Sequence, residues 1–152
     1  MSEAETEQRI EKSIEVKAPI DRVWKLMTAA SEMPRWWHSL ASAEVDLVPG
    51  GEMRLNWKKD EHGVSAGRVV EVEEPKYFAW NWAANSEGRP PTPGDQTLVE
   101  FRLEELGEIT RVTVHESGFE TLTAPPEERM LSLEGNTVGW TEVLDHLGDE
   151  FA

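Results

Sequence analysis

Apolar and polar residues alternate along much of the chain, and alternation with a period of two predicts β-strands with one buried face. Turns containing glycine or proline separate the alternating stretches, and Pro49-Gly50-Gly51 is the clearest of them. The stretches are residues 9–17, 43–48, 53–57, 64–72, 78–82, 97–103 and 110–114. Because the connections between consecutive strands are short, the pattern predicts an antiparallel meander of six or seven strands.

Two short helices are predicted between the first and second strands. Pro19 suits the first turn of a helix, and Asp21 suits its positive N-terminal end. Apolar residues then follow at helical spacing, at Ile20, Val23, Trp24 and Met27. Ser31 is expected to cap a second short helix that runs into Trp36-Trp37.

The last predicted element is a long helix that begins near Pro126. Its apolar stripe repeats every three or four residues, at Met130, Leu133, Thr137, Trp140, Leu144 and Leu147. Gly135 and Gly139 interrupt this helix at a cost of about 1 kcal/mol each relative to alanine, so close packing or a ligand is the expected reason for them. The order of elements predicts a two-layer α+β domain in which this helix covers the concave face of the sheet.

Composition and charge narrow the possible partners. The 152 residues suit a single domain, and 30 acidic against 15 basic residues give a net charge of -15. This charge repels polyphosphate, so nucleic acid is excluded as a predicted partner. The chain has no cysteine and therefore no disulfide, thiol nucleophile or thiolate metal site. Its N-terminal segment is polar and no apolar run is long enough to span a membrane, so a cytoplasmic protein is expected.

The seven tryptophans are the most informative part of the composition. A single tryptophan at a buried position of a strand or helix is usually a core residue. Several indoles that face the same interior, however, pack with gaps between them. Those expected to face one another are Trp57, Trp80, Trp82 and Trp140. Asn136 and Thr137 supply polar groups near them, and an apolar cavity with a few polar groups is typical of a small-molecule site. The proline-containing loop at residues 86–95 is expected to form its lid or mouth.

Signatures of catalysis and of metal binding are weak. His115-Glu116-Ser117 combines a base, a carboxylate and a hydroxyl, but neighbours on a strand point to opposite faces and do not converge as a triad. A strand that ends in a turn at Gly118 is the favoured interpretation. The four histidines lack the spacing of a helical metal motif: His38, His62, His115 and His146. The sequence therefore predicts no catalytic residue, no metal and no cofactor.

The order of elements, together with several short motifs, resembles the START-like (helix-grip) superfamily, and within it the family of homologues of the activator of the heat-shock-protein-90 ATPase. The motifs are Ala18-Pro19 followed by Val23-Trp24, then Trp36-Trp37, Pro49-Gly50-Gly51, Gly67, Glu74-Pro75 leading to Phe78 and Trp80, Glu116-Ser117-Gly118-Phe119, and Gly139-Trp140. The resemblance runs from about Ile10 to about Leu147. It implies an antiparallel six- to seven-stranded sheet wrapped around a long C-terminal helix, with a hydrophobic cavity between them. Relatives include lipid carriers, polyketide cyclases, hormone receptors and co-chaperone domains, so the fold alone selects no activity.

Residues 1–152 are accordingly predicted to form a single START-like domain, with a flexible N-terminus at residues 1–8. The predicted function is the non-catalytic binding of a small apolar or aromatic molecule between the sheet and the C-terminal helix. The predicted ligand-binding residues are Trp37, Met53, Leu55, Trp57, Trp80, Trp82, Phe101, Leu133, Asn136 and Trp140.

Two alternatives remain. The first is a co-chaperone-like interaction module that acts in the stress response and has a chaperone or a client protein as its partner. The second is a cyclase- or hydrolase-like enzyme that would use Asn136, Thr137, Arg54 or His115. An interior void favours the ligand-binding function, and an exposed apolar patch over a packed interior favours the interaction module. The sequence leaves the identity of the ligand and the oligomeric state open.

Overall fold

The computed structural model describes residues 8–58, 63–85 and 87–152. Its strands are β1 (Ile10–Val16), β2 (Leu40–Val45), β3 (Glu52–Trp57), β4 (Val64–Glu73), β5 (Tyr77–Ala83), β6 (Gln96–Leu106) and β7 (Ile109–Ser117). They form one antiparallel sheet in the order β1-β7-β6-β5-β4-β3-β2. Strands β2 to β7 pair with their neighbours in the chain, whereas β1 pairs with the last strand.

Three helices accompany the sheet: α1 (Ile20–Thr28), α2 (Met33–Trp36) and α3 (Pro126–Glu150), with 3-10 turns at Ala30–Glu32 and Phe119–Thr121. The first two helices connect β1 to β2, and α3 follows the sheet. The predicted α+β helix-grip fold is therefore confirmed.

The alternation of side chains fixes which face of the sheet is buried. On β7, Val112 and Val114 are buried on the inner face, and on β6 the buried residues are Val99 and Phe101. Phe78 and Trp80 continue this face across β5, as do Met53 and Leu55 on β3. The inner face is thus an apolar surface that α1, α2 and α3 cover.

Only the second half of α3 packs firmly. Its buried residues are Trp140, Val143, Leu144 and Leu147. At Gly148 an added Cβ would lie 2.8 Å from Ile14 Cδ1, so the helix crosses β1 in close contact there. Met130 is 42% exposed, and the prediction that it faces the sheet is wrong. The physical reason is that the first half of α3 packs only loosely: none of residues 126–139 is buried.

Two local predictions also need correction. Ser31 lies inside the 3-10 turn and is exposed, so it does not cap α2, whose preceding residue is Glu32. Strand β2 spans Leu40–Val45 instead of residues 43–48, because Val48 already belongs to the turn before β3. The expected hairpin turn at residues 60–63 lies outside the described residues except for Gly63, and the expected flexible N-terminus does so except for Gln8. Within the described ranges, no helix has the length and apolar character needed to cross a membrane.

Candidate ligand-binding site

Trp37 lies at the centre of a cluster of indoles. It directly follows α2, and its ring centre lies 5.7 Å from that of Trp57, 5.8 Å from that of Trp82 and 5.2 Å from that of Trp140. The Trp82 and Trp140 rings are 5.8 Å apart. The structure therefore brings together three of the four tryptophans that the sequence aims at one interior, with Trp37 between them.

Trp80 belongs to a different part of the interior. Its ring packs against Phe78 at 5.1 Å and Phe101 at 5.4 Å, and the side chain is 1% exposed. Met53, Leu55 and Phe101 are also buried in the core, whereas Leu133 is half-buried on α3. None of these residues borders the open space described next.

An aromatic cleft of about 360 Å³ lies between the indole cluster and the middle of α3. Its lining residues are Trp37, Ser39, Trp57, Ser65, Trp82, Gly135, Asn136, Gly139, Trp140 and Val143. The volume lies in the range of about 300–1,000 Å³ that small-molecule sites occupy. Trp57 Nε1 donates a 2.9 Å hydrogen bond to Ser65 Oγ, which fixes one indole at the wall of the cleft.

The two helix glycines border this cleft. A Cβ added at Gly135 or at Gly139 would meet no atom within 4 Å, apart from the helix's own backbone and the adjacent residues. Close packing is therefore not the reason for these glycines. Their effect is to widen the cleft on its helical side, where larger side chains would narrow it.

A polar pocket of about 180 Å³ adjoins the aromatic cleft. Both cavities are lined by Ser65, Trp82 and Asn136. The further residues of the polar pocket are Ala83, Ala84, Asn85, Thr97, Glu116, Phe119, Leu122 and Ser132. Thr97 is the register partner of Trp82 on the neighbouring strand, so the sheet itself sets the polar pocket beside the indole cluster.

The proline-containing loop meets the polar pocket through Asn85. The Asn85 Nδ2 donates to Asp95 Oδ2 at 2.9 Å, and its Oδ1 accepts from the backbone N–H groups of Glu87 and Arg89, each at 3.1 Å. These bonds tie both ends of the loop together at the mouth of the pocket. Ser86 lies outside the described residues. Whether this loop acts as a lid stays a prediction.

Glu116 is the residue that sequence reasoning missed. The carboxylate is fully buried and accepts hydrogen bonds from Thr97 Oγ1 at 2.6 Å, Trp140 Nε1 at 2.8 Å and Asn136 Nδ2 at 3.1 and 3.2 Å. Burial raises the pKa of Glu116, and these hydrogen bonds only partly offset that effect. Its position in the strand was the available signal, since Glu116 has the same parity as the buried Val112 and Val114.

The partners of Glu116 determine where a proton sits on the carboxyl group. Asn136 Nδ2 donates to both oxygens, but Trp140 Nε1, which can only donate, bonds to Oε1, so no partner of Oε1 could accept a hydrogen bond from a proton on it. In the neutral form the proton is therefore carried by Oε2 and shared with the Thr97 hydroxyl, which both donates and accepts.

His115 points away from this site, as the alternation of a strand requires. Its Nδ1 lies 3.1 Å from Glu100 Oε1 on the outer face, where Tyr77 OH also donates to Glu100. Burial and then the hydrogen bond to Glu100 raise the pKa of Tyr77 to about 12. Burial alone would raise the pKa of Glu100, but the hydrogen bonds from Tyr77 and His115 outweigh it and lower that pKa. Glu116 and His115 thus belong to separate networks on opposite faces.

The other polar candidates do not enter the cleft. The Thr137 hydroxyl donates to the Leu133 carbonyl at 2.6 Å within its own helix. Arg54 lines a separate depression of about 570 Å³, whose other charged residues include Glu44, Glu52 and Arg68. The rings of His38 and His146 stack at 3.8 Å, and no metal-binding group of three or more histidine, aspartate or glutamate residues occurs among the described residues.

Comparison with known proteins identifies the family. Residues 17–152 match the family model described as Activator of Hsp90 ATPase homolog 1-like protein. The chain belongs to this family. The predicted membership in the family of Hsp90 ATPase activator homologues, and in the START-like superfamily, is thereby confirmed. Among proteins with curated functions, none matches the sequence significantly.

Several solved structures share the fold of this chain. The Aha1 dimer from Colwellia psychrerythraea is 19% identical with a TM-score of 0.72, and the match covers 94% of this chain and 95% of that one. A protein from Nitrosomonas europaea is 23% identical with a TM-score of 0.71, covering 93% and 92% of the two chains. CalU16 from Micromonospora echinospora is 26% identical with a TM-score of 0.68, covering 95% of this chain and 76% of that one.

Proposed function

We propose that the protein binds a small apolar or aromatic molecule in the aromatic cleft, between the sheet and α3, without transforming it. The observation that carries this proposal is the pairing of an indole-lined wall with a helical wall that has glycine at two positions. Indole faces offer large apolar contact areas to a flat ligand. A helix whose glycines touch nothing retains them at a cost in stability, and room for a ligand accounts for that cost.

The arrangement favours binding over catalysis. A cyclase- or hydrolase-like reaction in the cleft would rest on Glu116, because His115 and Arg54 face other parts of the molecule. Both Glu116 oxygens already accept hydrogen bonds from protein groups. A general acid or base needs one oxygen within hydrogen-bond distance of the reacting atom. Glu116 would therefore have to give up one of its partners before it could act in this way.

A thermal-shift screen of fatty acids, flavonoids and polyketide-like aromatics tests the proposal. A ligand of the folded state raises the melting temperature by mass action, and binding against Trp37 and Trp140 changes tryptophan fluorescence. Gly135→Leu places a side chain in the cleft, so the variant should lose the ligand-induced shift. Val138→Leu places the same leucine side chain at an exposed position of the same helix, outside the cleft, and should keep the shift.

Failure of every compound to raise the melting temperature or to change the fluorescence of the wild type would remove the ligand-binding function. Equal binding by wild type and Gly135→Leu would place the ligand elsewhere.

A protein-interaction module is the second candidate function, and exposed apolar residues on α3 favour it. Leu131 is 67% exposed and Val138 is 60% exposed. They lie seven residues apart and thus on the same side of the helix. The expected partner is a chaperone or a client protein. Stimulation of a purified Hsp90-type ATPase by the wild type, lost in a Leu131→Ser, Val138→Ser double variant, would establish this function, and no stimulation at all would exclude it for that chaperone.

A further inference from the structure

The Glu116 carboxylate is buried without a positive partner. Each of its hydrogen-bond donors is neutral: a hydroxyl, an indole N–H and a carboxamide. No lysine, arginine or histidine nitrogen in the described part of the chain lies within ion-pair distance of it. A buried charge without a counter-charge is costly, and either a proton or a cation removes that cost. Burial penalises the charged form of the carboxyl group and thereby raises the pKa of Glu116.

The cavity beside Glu116 suits a cation in three respects. Trp37, Trp57 and Trp140 line the adjoining aromatic cleft, and a cation is attracted to an indole more than to other aromatic rings. The polar pocket contributes a hydroxyl oxygen through Ser132. The net charge of -15 raises the local concentration of cations at the protein surface.

Asn136 is the group that a ligand displaces to reach the carboxylate. The Asn136 Nδ2 group donates to both Glu116 oxygens, at 3.1 and 3.2 Å. The hydrogen bonds from Thr97 and Trp140 to Glu116 are shorter. Asn136 is half-buried, lines both cavities and lies on the part of α3 that has no buried residue. A rotation of this one side chain therefore opens the Glu116 carboxylate toward both cavities.

We infer that the ligand of the aromatic cleft is an amine, with an apolar or aromatic body against the indoles and a protonated nitrogen that replaces Asn136 as a partner of Glu116. This inference rests on the proposed function and specifies its ligand class. A ligand of this class supplies the counter-charge that the pocket lacks, and its body fills the space beside Gly135 and Gly139. A carboxylic acid of the same shape is repelled by Glu116 and by the net charge.

Other charged side chains on the elements around Glu116 leave this assignment unchanged. On β1, Lys12 lies two residues from Ile10, the register partner of Glu116. Asp95 precedes β6 and bonds to Asn85, and Arg129 on α3 donates to the Leu122 carbonyl at 3.2 Å. His115, the neighbour of Glu116 in the chain, faces the opposite side of the sheet. None of the three basic residues, Lys12, Arg129 and His115, makes an ion pair with Glu116.

Three matched compounds test the ligand class: 2-naphthylmethylamine, 2-naphthylmethanol and 2-naphthoic acid. Tryptophan fluorescence titration at pH 8 measures their affinities for the wild type. The amine is expected to bind at least about tenfold more tightly than the alcohol, as a charge-assisted hydrogen bond predicts, and the acid is expected not to bind. In Glu116→Gln, which keeps the shape of the side chain, the amine should lose this advantage. Glu134→Gln removes the same charge from an exposed position on α3 and should preserve it.

The pH dependence in the wild type provides a second measurement that needs no variant. As the pH falls through the raised pKa of Glu116, the carboxyl becomes neutral, so the affinity for the amine should fall while the affinity for the alcohol stays constant. This series decides the question if Glu116→Gln fails to fold, which circular dichroism shows directly.

The outcomes separate the inference from the proposed function. If the alcohol binds the wild type as tightly as the amine, the amine class is wrong and the cleft remains a ligand site. If the amine keeps its advantage in a folded Glu116→Gln, Glu116 is not the recognising group and the inference fails. If none of the three compounds binds and the broader screen also finds no ligand, the proposed function itself is overturned.

Discussion

Replacement of Trp140 tests the central contact of the structure, because this residue joins α3, the indole cluster and the buried carboxylate. It is 2% exposed, packs against Trp37, Trp82 and Phe101, and donates to Glu116 at 2.8 Å. Truncation of a buried tryptophan to alanine costs about 3–5 kcal/mol through lost packing. Leaving the Glu116 carboxylate one donor short adds about 1–3 kcal/mol. Trp140→Ala is therefore expected to lower the free energy of unfolding by at least about 4 kcal/mol, a large part of the 5–15 kcal/mol typical of a domain.

Phenylalanine variants separate packing from hydrogen bonding. Trp140→Phe keeps a ring but removes the N–H that Glu116 accepts. Trp80→Phe is the matched control, since Trp80 is 1% exposed and its Nε1 has no hydrogen-bond partner among the described residues. Both variants lose similar ring volume, so Trp140→Phe should be less stable than Trp80→Phe by about 1–3 kcal/mol, the value of the hydrogen bond to Glu116.

Urea unfolding followed by circular dichroism at neutral pH measures these differences. Two results would refute the reasoning. A loss of less than about 1 kcal/mol in Trp140→Ala would mean that the residue is not buried against the sheet. Equal losses in Trp140→Phe and Trp80→Phe would mean that the indole donates nothing of value to Glu116.

Three further predictions follow from the helix glycines and the two carboxylate networks. Gly135→Ala should raise the free energy of unfolding by up to about 1 kcal/mol in urea unfolding, because the added Cβ meets no atom and alanine favours the helix. A lower free energy of unfolding would show that the space beside Gly135 is not open. Because the pKa of Glu116 is raised in the folded state, its contribution to stability is fully present below the ordinary glutamate pKa of 4.5 and is lost as the pH rises through the folded-state pKa. The wild type should therefore lose stability relative to Glu116→Gln over that pH interval. Parallel pH profiles of the two proteins would contradict this. Tyr77 is the only tyrosine of the chain, so spectrophotometric titration of the wild type should show a single phenol with a pKa of about 12. This pKa should be lower in Glu100→Gln. A wild-type value near the ordinary 10 would mean that the contact with Glu100 is absent.

The strands and the long helix were predictable because each buries one side of a regular pattern. Period-two alternation located the sheet, and three- to four-residue spacing located α3 and the burial of Trp140 and Leu147. The same spacing predicted a buried Met130, because a helical pattern shows which side is apolar but not how far the partner surface extends. The extent of a contact depends on tertiary packing, which no local pattern encodes.

The candidate site was predictable in its aromatic part and hidden in its polar part. The positions of Trp57 and Trp82 on the alternating pattern of the strands predicted that both would face the same interior as Trp140. Trp37 was included among the predicted residues, but its central position arises from the end of α2, which the chain brings there through tertiary packing. Glu116 was passed over since a charged residue in a strand normally faces solvent. Its parity with Val112 and Val114 was the one sequence signal, and the three donors from β6 and α3 show why a carboxylate is tolerated there.

The pairing of β1 with β7 has a consequence for folding. Every other pair of adjacent strands joins chain neighbours, whereas the Ser13–Thr113 contact joins residues 100 positions apart. Closing so long a loop is slow, and non-local pairing of this kind is typical of domains that fold in milliseconds to seconds. Until β1 arrives, β7 is an edge strand that carries the apolar Val112 and Val114 on one face. During that interval the chain is most open to pairing with a second copy of itself, so refolding yield should fall as the protein concentration rises.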